Sequence, residues 1–339
     1  MRAVGVHQFL PTSDPQCFVD CKVDLPHIHP RDLLVKVKAI SVNPVDTKIR
    51  ASLAEPLTEP KILGWDAAGV VEQVGSEVSL FKPGDEVFYA GSVTRPGCNS
   101  EYQGIDERIV GRKPQSLSFE EAAALPLTTI TAWESLFERL GLAPYPAGQE
   151  NKSILIIGGA GGVGSIAIQL AKKLAGMKVI ATASRADSSK WCLKMGADHV
   201  INHYEPLASE LAKIDLKEVD YILCLNNTDF HWEGMAEVIC PQGKICSIVG
   251  NKEPLDLNLL KSKSVTFSWE FMFTKSKYET EDMRSQHDLL NQVSQFVDQG
   301  VIQSTMMENF GQVSPENLSR AHAQLEAGRT IGKLVLSGL

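Results

Sequence analysis

Long apolar runs, basic clusters and paired cysteines are all missing from this 339-residue chain. No apolar stretch approaches the roughly 20 residues that a membrane span requires. Met1-Arg2-Ala3-Val4 starts as a strand rather than as the charged and apolar leader of a signal peptide. A cytoplasmic protein with no membrane partner is expected. The formal net charge is −8 and no basic block interrupts it, so the electrostatic footprint of nucleic-acid binding is lacking. The seven cysteines (Cys17, Cys21, Cys98, Cys192, Cys224, Cys240 and Cys246) are odd in number and include no C-x-x-C pair, which excludes a disulfide framework. Cys17 and Cys21 have no second pair nearby, and His27-x-His29 lies between Pro26 and Pro30 as a solvated loop does. Neither reads as a metal site. Internal repeats and low-complexity segments are absent as well.

What is present begins with length. A chain of 339 residues is long for one domain, and two are expected. The central run 153–176 reads SILIIGGAGGVGSIAIQLAKKLAG. An apolar strand, Ile154 to Ile157, enters Gly159-x-Gly161-x-x-Gly164, and a helical face follows with Val163, Ile166, Ala167, Leu170, Ala171 and Leu174. That order is the setting of a dinucleotide fingerprint. One glycine makes the tight turn, the next lets backbone approach a pyrophosphate, and the third lets helix pack on strand. Backbone from Gly159, Ala160, Gly161, Gly162, Val163 and Gly164 would face the diphosphate at a helix N-terminus. The competing reading is a packing turn in a cofactor-free α/β protein.

Before residue 125 the chain is β-rich, with strands expected at 33–40, 69–75 and 86–89 and a Lys82-Pro83-Gly84-Asp85 turn. Helices are expected at 119–125, capped by Ser118 and ended by Pro126, and at 131–140, ahead of a Pro/Gly-rich spacer at 141–150. Strands at 178–182, 198–201, 219–225, 244–249 and 264–269 then alternate with helices such as 188–195 and 233–239. Such alternation implies a parallel sheet covered on both faces, and six strands suit a doubly wound dinucleotide fold. Helices at 283–299 and 315–327 and strands at 305–310 and 333–336 are read as returning to the first domain.

Ser41-Val42-Asn43-Pro44-Val45-Asp46-Thr47-Lys48-Ile49-Arg50, Gly64-Trp65-Asp66-Ala67-Ala68-Gly69-Val70-Val71, Leu125-Pro126-Leu127-Thr128-Thr129-Ile130-Thr131-Ala132-Trp133 and Arg329-Thr330-Ile331-Gly332-Lys333-Leu334-Val335-Leu336 stand in order around the glycine run. Together they resemble the medium-chain dehydrogenase/reductase superfamily, in its zinc-independent quinone-oxidoreductase branch. The resemblance implies an α/β protein with a GroES-like β-rich catalytic domain (1–125 and 276–339), a Rossmann doubly wound parallel sheet (126–275) and a cleft between them. Zinc relatives place a cysteine, a histidine and a cysteine where this chain has Asn43, Trp65 and Leu127. Tryptophan and leucine offer a metal no lone pair, and between Val87 and Glu101 only Cys98 remains of a structural-zinc lobe. No metal is expected.

The resemblance also sets the cofactor positions. An NAD enzyme usually has an acid at the end of the second strand, where its carboxylate binds the adenosine ribose. Here that strand ends in Ala183-Ser184-Arg185, with Asp187 two residues further on. Arg185 offers a cationic fork to a 2′-phosphate, Ser184 a hydroxyl and Lys190 a second cation. These cations are otherwise solvated surface charges. Some relatives use a tyrosine after the third strand, where this chain has His203 beside Tyr204. Lys333 is counted with the cofactor residues, and NADP(H) is the expected cofactor.

By the same resemblance Asn43, Asp46 and Thr131 lie by the nicotinamide. Asn43 could donate amide N–H groups to a carbonyl oxygen or, as Asn-Pro, set a turn. Asp46 reads as an orienting carboxylate and Thr131 as a partner of the cofactor. Trp65 is either an apolar wall for a flat acceptor or core packing, and 269–273 is core or subunit interface. Without a metal to stabilise an alkoxide, reduction of a quinone or an α,β-unsaturated carbonyl is the expected reaction on a small electrophilic substrate. A non-catalytic NADPH-binding protein and a zinc-dependent alcohol dehydrogenase are the alternatives. A homodimer is expected through the uncharged edge strand 264–269, unless the helix 283–299 covers it.

Overall fold

In the computed structural model, which describes residues 1–144 and 152–339, contacts divide the chain into two units: Met1–Ile130 with Phe273–Leu339, and Thr131–Met272. These boundaries lie a few residues from 125/126 and 275/276. Positions 145–150 of the expected spacer fall outside the described residues.

In the second unit Ser153–Ile157 is buried at every position, as a strand covered on both faces must be. Six strands stand side by side in the order His199–Ile201, Lys178–Thr182, Ser153–Ile157, Val219–Cys224, Ile239–Ser247, Thr266–Trp269. All five pairings are parallel. Numbered along the chain this is 3-2-1-4-5-6, the order of a dinucleotide-binding sheet. It reverses between Ser153–Ile157 and Val219–Cys224, where Ile157 is paired with Cys224. Leu155, Ile222, Met235, Ile239 and Ile245 belong to the core on one face.

Several element limits differ from those expected. The helix placed at 131–140 is an α-helix from Pro126 to Trp133 that continues as a π-helix over Glu134–Arg139. Pro126 therefore opens this helix as well as closing the one before it, because a first-turn residue needs no N–H donor. The helix placed at 233–239 starts earlier, at Thr228, behind the left-handed cap Asn227. The last strand begins only at Thr266, since Ser264 has a left-handed φ of 52°.

The first unit is largely antiparallel. A seven-stranded sheet runs Met306–Gln312, Lys333–Ser337, Asp32–Val42, Ala67–Val74, Glu86–Tyr89, Val110–Arg112, with Tyr102–Asp106 also paired to Asp32–Val42. A smaller sheet joins Val19–Lys22, Arg2–Val6 and Lys61–Ile62. The C-terminal strand meets the long one with Leu334 opposite Val42 and Leu336 opposite Ile40. Ala67 also lies opposite Ile40, and the Ser41 N–H donates to the Asp66 carbonyl at 2.9 Å. This register brings Asn43, Asp66 and Lys333 to the same end of the sheet. The helix Ser285–Asp298 packs on Val110–Arg112 in its own unit.

Candidate functional site

The glycine loop turns out of Ile157 through Gly158, whose φ of +85° is the left-handed geometry that only glycine takes without strain. Gly159, expected to make that turn, has another reason to be glycine: a Cβ there would lie 2.7 Å from the Ala181 Cβ on the neighbouring strand. The third glycine behaves as expected, because a Cβ on Gly164 would meet the Gly158 and Gly159 carbonyl oxygens at 2.5 Å. A Cβ on Gly161 would have only the Gly158 oxygen near it, at 3.6 Å, so the space over the loop is open. Helix Gly162–Lys173 begins there. The N–H groups of Gly162, Val163 and Gly164 have no acceptor within the helix, as in any first turn. An extended anion such as a dinucleotide diphosphate fits this cradle.

The neighbouring strand supports the loop from its last residue. The Thr182 hydroxyl accepts the Gly158 N–H at 3.0 Å, and its carbonyl accepts that of Gly159 at 3.2 Å. Beyond Thr182, Ser184 is exposed and Arg185 half-buried at the start of helix Ala186–Met195, with Lys190 exposed on that helix. His203 follows the third strand. Its ring is 4.4 Å from that of Tyr204 and 6.2 Å from that of His231, and its Nδ1 is buried without a partner among the described residues. Burial, then the positive charge of Arg185, hold the His203 imidazole below its ordinary pKa. Arg185 and His203 are thus brought to one corner of the sheet.

In the first unit Asn43 caps helix Pro44–Ala51, and Asp46 in its first turn accepts the Asn43 N–H at 2.6 Å. The Asn43 side chain is fully engaged. Its Nδ2 donates to Asp66 Oδ2 at 3.1 Å and to the Ser41 carbonyl at 3.3 Å, while its Oδ1 accepts from Lys333 Nζ at 2.5 Å. The expected donation to a substrate carbonyl therefore requires one of these bonds to be exchanged. Lys333 also donates to the Val42 carbonyl at 2.9 Å and pairs with Asp66 at 3.1 Å. All three ammonium protons are taken, leaving none for a cofactor phosphate. Nothing in the sequence singles out Asp66, the hub of this group, whose Oδ1 accepts the Leu127 N–H at 3.1 Å.

Electrostatics in this network are dominated by burial. It raises the pKa of Asp46 to about 7, against the Asn43 N–H and Lys333, which lower it. Asp66 is raised and Lys333 lowered, in both cases by burial first, with their mutual attraction acting the other way. Asp46 Oδ1 is buried and has no hydrogen-bond partner among the described residues. Near neutral pH it is the group here that can hold or release a proton.

Trp65 is 1% exposed and its indole N–H donates to the Ser92 carbonyl at 2.8 Å, so it is a core side chain and not an exposed wall. Leu127 is aliphatic and buried. Asn43, Trp65 and Leu127 consequently do not fit a catalytic zinc. Among the described residues no cluster of three or more His, Cys, Asp or Glu side chains could hold a metal ion. Thr131 is buried in the second unit, on the helix that continues into the π turn. In that turn the Glu134 carboxyl lies against Glu270, which is itself 2.8 Å from Arg139. Burial, and then Glu134, push the Glu270 carboxyl well above the usual range.

Comparison with known proteins bears on both units. A family model described as Alcohol dehydrogenase GroES-like domain matches residues 29–134, and one described as Zinc-binding dehydrogenase matches residues 195–336. A zinc-type alcohol dehydrogenase-like protein of Staphylococcus epidermidis is 45% identical over 99% of each chain. The 2-methylene-furan-3-one reductase of Solanum lycopersicum is 31% identical, with 94% of this chain and 74% of that one covered. The crystal structure of Escherichia coli quinone oxidoreductase complexed with NADPH has a TM-score of 0.83 at 28% identity, covering 99% of this chain and 100% of the other. The chain belongs to the medium-chain dehydrogenase/reductase superfamily, and it is an oxidoreductase of that superfamily's zinc-type alcohol dehydrogenase-like group.

Proposed function

We propose that the protein is an NADPH-dependent, zinc-independent reductase of quinones or α,β-unsaturated carbonyl compounds. The observation that carries this reading is the chemistry at Asn43, Trp65 and Leu127. An engaged amide, a buried indole donor and an aliphatic side chain cannot assemble a Lewis acid. Alcohol oxidation loses its main assistance without one, whereas an acceptor that is already electrophilic needs only orientation and modest stabilisation of charge on oxygen. Bound at the glycine loop, NADPH would supply the hydride. The backbone from Gly159 to Gly164 would hold the diphosphate, and Ser184, Arg185, Lys190 and His203 would surround the 2′-phosphate. Asp46, with its unpartnered Oδ1, would hold a proton near neutral pH, and Thr131 would orient the nicotinamide end. The NADPH complex of the Escherichia coli relative supports this class of reaction, as does the 2-methylene-furan-3-one named for the Solanum lycopersicum relative.

Arg185→Ala tests the cofactor assignment. Loss of a charge-assisted contact with the phosphate should weaken NADPH binding by about 1.5–3 kcal/mol and leave NADH nearly unaffected. Equal affinity of the unsubstituted protein for the two cofactors would refute it.

We also propose a homodimer. Thr266–Trp269 is the last strand of its sheet, carries no charge, and leaves Trp269 44% exposed. Pairing of this edge with a second copy about a two-fold axis would extend the sheet across both subunits.

A further inference from the structure

We propose that His203 is a specificity-determining residue for the cofactor: its unpartnered Nδ1 takes up a proton as the 2′-phosphate of NADP(H) docks beside Arg185, so that phosphate binding is coupled to protonation. The inference rests on the NADP(H) reading above and adds to it a residue role and a pH dependence.

The titratable and charged groups facing His203 are Arg185 at the end of the second strand, His231 on helix Thr228–Val238, and its own neighbour Tyr204. Arg185 is the one whose charge acts on its pKa. Glu210 accepts the Asn202 N–H and pairs with Lys213, and Asp229 accepts the N–H groups of Lys252 and Glu253. His231 is buried, and both burial and His203 hold it neutral, with its pKa lowered to about 4. His203 therefore sits half-buried with an idle ring nitrogen, and the charged group beside it is a cation.

A buried nitrogen without a partner costs free energy that a ligand can recover. A phosphate dianion at Arg185 adds negative charge beside His203 and gives a protonated Nδ1 an acceptor. Both effects raise the imidazole pKa. By linkage, protonating His203 must then tighten NADP(H) binding by the same factor. NAD(H) brings no phosphate to this corner and should exchange no proton through His203. His231 stays neutral behind it, so a single proton is involved.

The test is isothermal titration calorimetry of NADP+ and NAD+ at pH 7.5 in PIPES and in Tris, whose ionisation enthalpies differ, on the unsubstituted protein and on His203→Gln. The phosphate's own second ionisation, near pH 6, is common to both proteins and cancels in their difference. Proton uptake with NADP+ should exceed that with NAD+, and the excess should be lost in His203→Gln. Preference for NADP+ should also rise by about threefold between pH 8.5 and pH 7 in the unsubstituted protein alone. Identical proton exchange in the two proteins, with NADP+ still preferred, overturns the role of His203 and leaves the NADP(H) reading standing. Equal affinity for NADP+ and NAD+ overturns both. NMR titration of carbon-13-labelled histidine in the unsubstituted protein is independent of the variant's folding. The His203 pKa should rise with NADP+ and not with NAD+, and an unchanged value overturns the proposal.

Discussion

Replacing Asp46 by Asn should stabilise the protein, and more so as the pH rises. In the fold the Asp46 carboxyl titrates at about 7, raised by burial from an ordinary 3.8. Between these values the unfolded chain has released its proton and the folded chain has not, so rising pH draws the equilibrium toward unfolding. The loss is spread over pH 4 to 7 and is complete above that. A gap of about three pH units at about 1.4 kcal/mol each sets an upper limit of roughly 4 kcal/mol. Asn keeps an acceptor for the Asn43 N–H, which Asp46 now accepts at 2.6 Å, and needs no proton to be neutral. Lys333 retains Asp66, Asn43 and the Val42 carbonyl. Urea unfolding followed by fluorescence is the assay, with Trp65, the one tryptophan of the first unit and 1% exposed, as reporter. The variant should exceed the unsubstituted protein by about 2–4 kcal/mol at pH 8 and by clearly less at pH 5. A difference that does not change with pH, or a variant less stable at pH 8, would refute the reasoning.

Packing and burial elsewhere give three more expected outcomes. Gly161→Val should fold normally and lose affinity for both cofactors, because its side chain enters the open space over the loop, while Gly164→Val should fail to fold, because its Cβ meets two carbonyl oxygens at 2.5 Å. Titration with NADPH and NADH, alongside circular dichroism, separates the two. His322 is buried with neither ring nitrogen partnered among the described residues, and burial lowers its pKa to about 3, so stability should fall as the pH drops from about 6.5 toward 3. His322→Met should remove that acid sensitivity and add about 1–2 kcal/mol at neutral pH, as measured by urea unfolding. Phe267→Pro should shift the proposed dimer toward monomer in light scattering, and an unsubstituted mass near 37.1 kDa at micromolar concentration would reject the dimer.

The second unit is legible in the sequence because its signals are local. Strand, glycine turn and helix follow one another within 153–173, and right-handed crossovers then leave few ways to order six parallel strands. Which glycine takes which role is less legible. Gly158 and Gly159 are adjacent and chemically identical, and only the folded chain separates them, by the left-handed φ of the first and the approach of Ala181 to the second. The π turn at Glu134–Arg139 is not legible, because its sequence is ordinary helix and its buried partner Glu270 comes from far along the chain. The network in the first unit is hidden for a similar reason. Asp66 draws no notice in the sequence and Lys333 is counted there with the cofactor residues, until the register of Lys333–Ser337 on Asp32–Val42 brings the two together beside Asn43. Asn43 stands out in the sequence, but the partners that take up its amide come from that same long-range pairing.

The most direct test of the central claim is NADPH oxidation followed at 340 nm across a panel of quinones, enals and enones, before and after prolonged chelation, with zinc determined on the same preparation. Turnover of at least one acceptor class, unchanged by chelation and with well under one zinc per chain, is the expected result. A stoichiometric zinc whose removal abolishes activity, or a tight NADPH complex that turns over none of the panel, would contradict it.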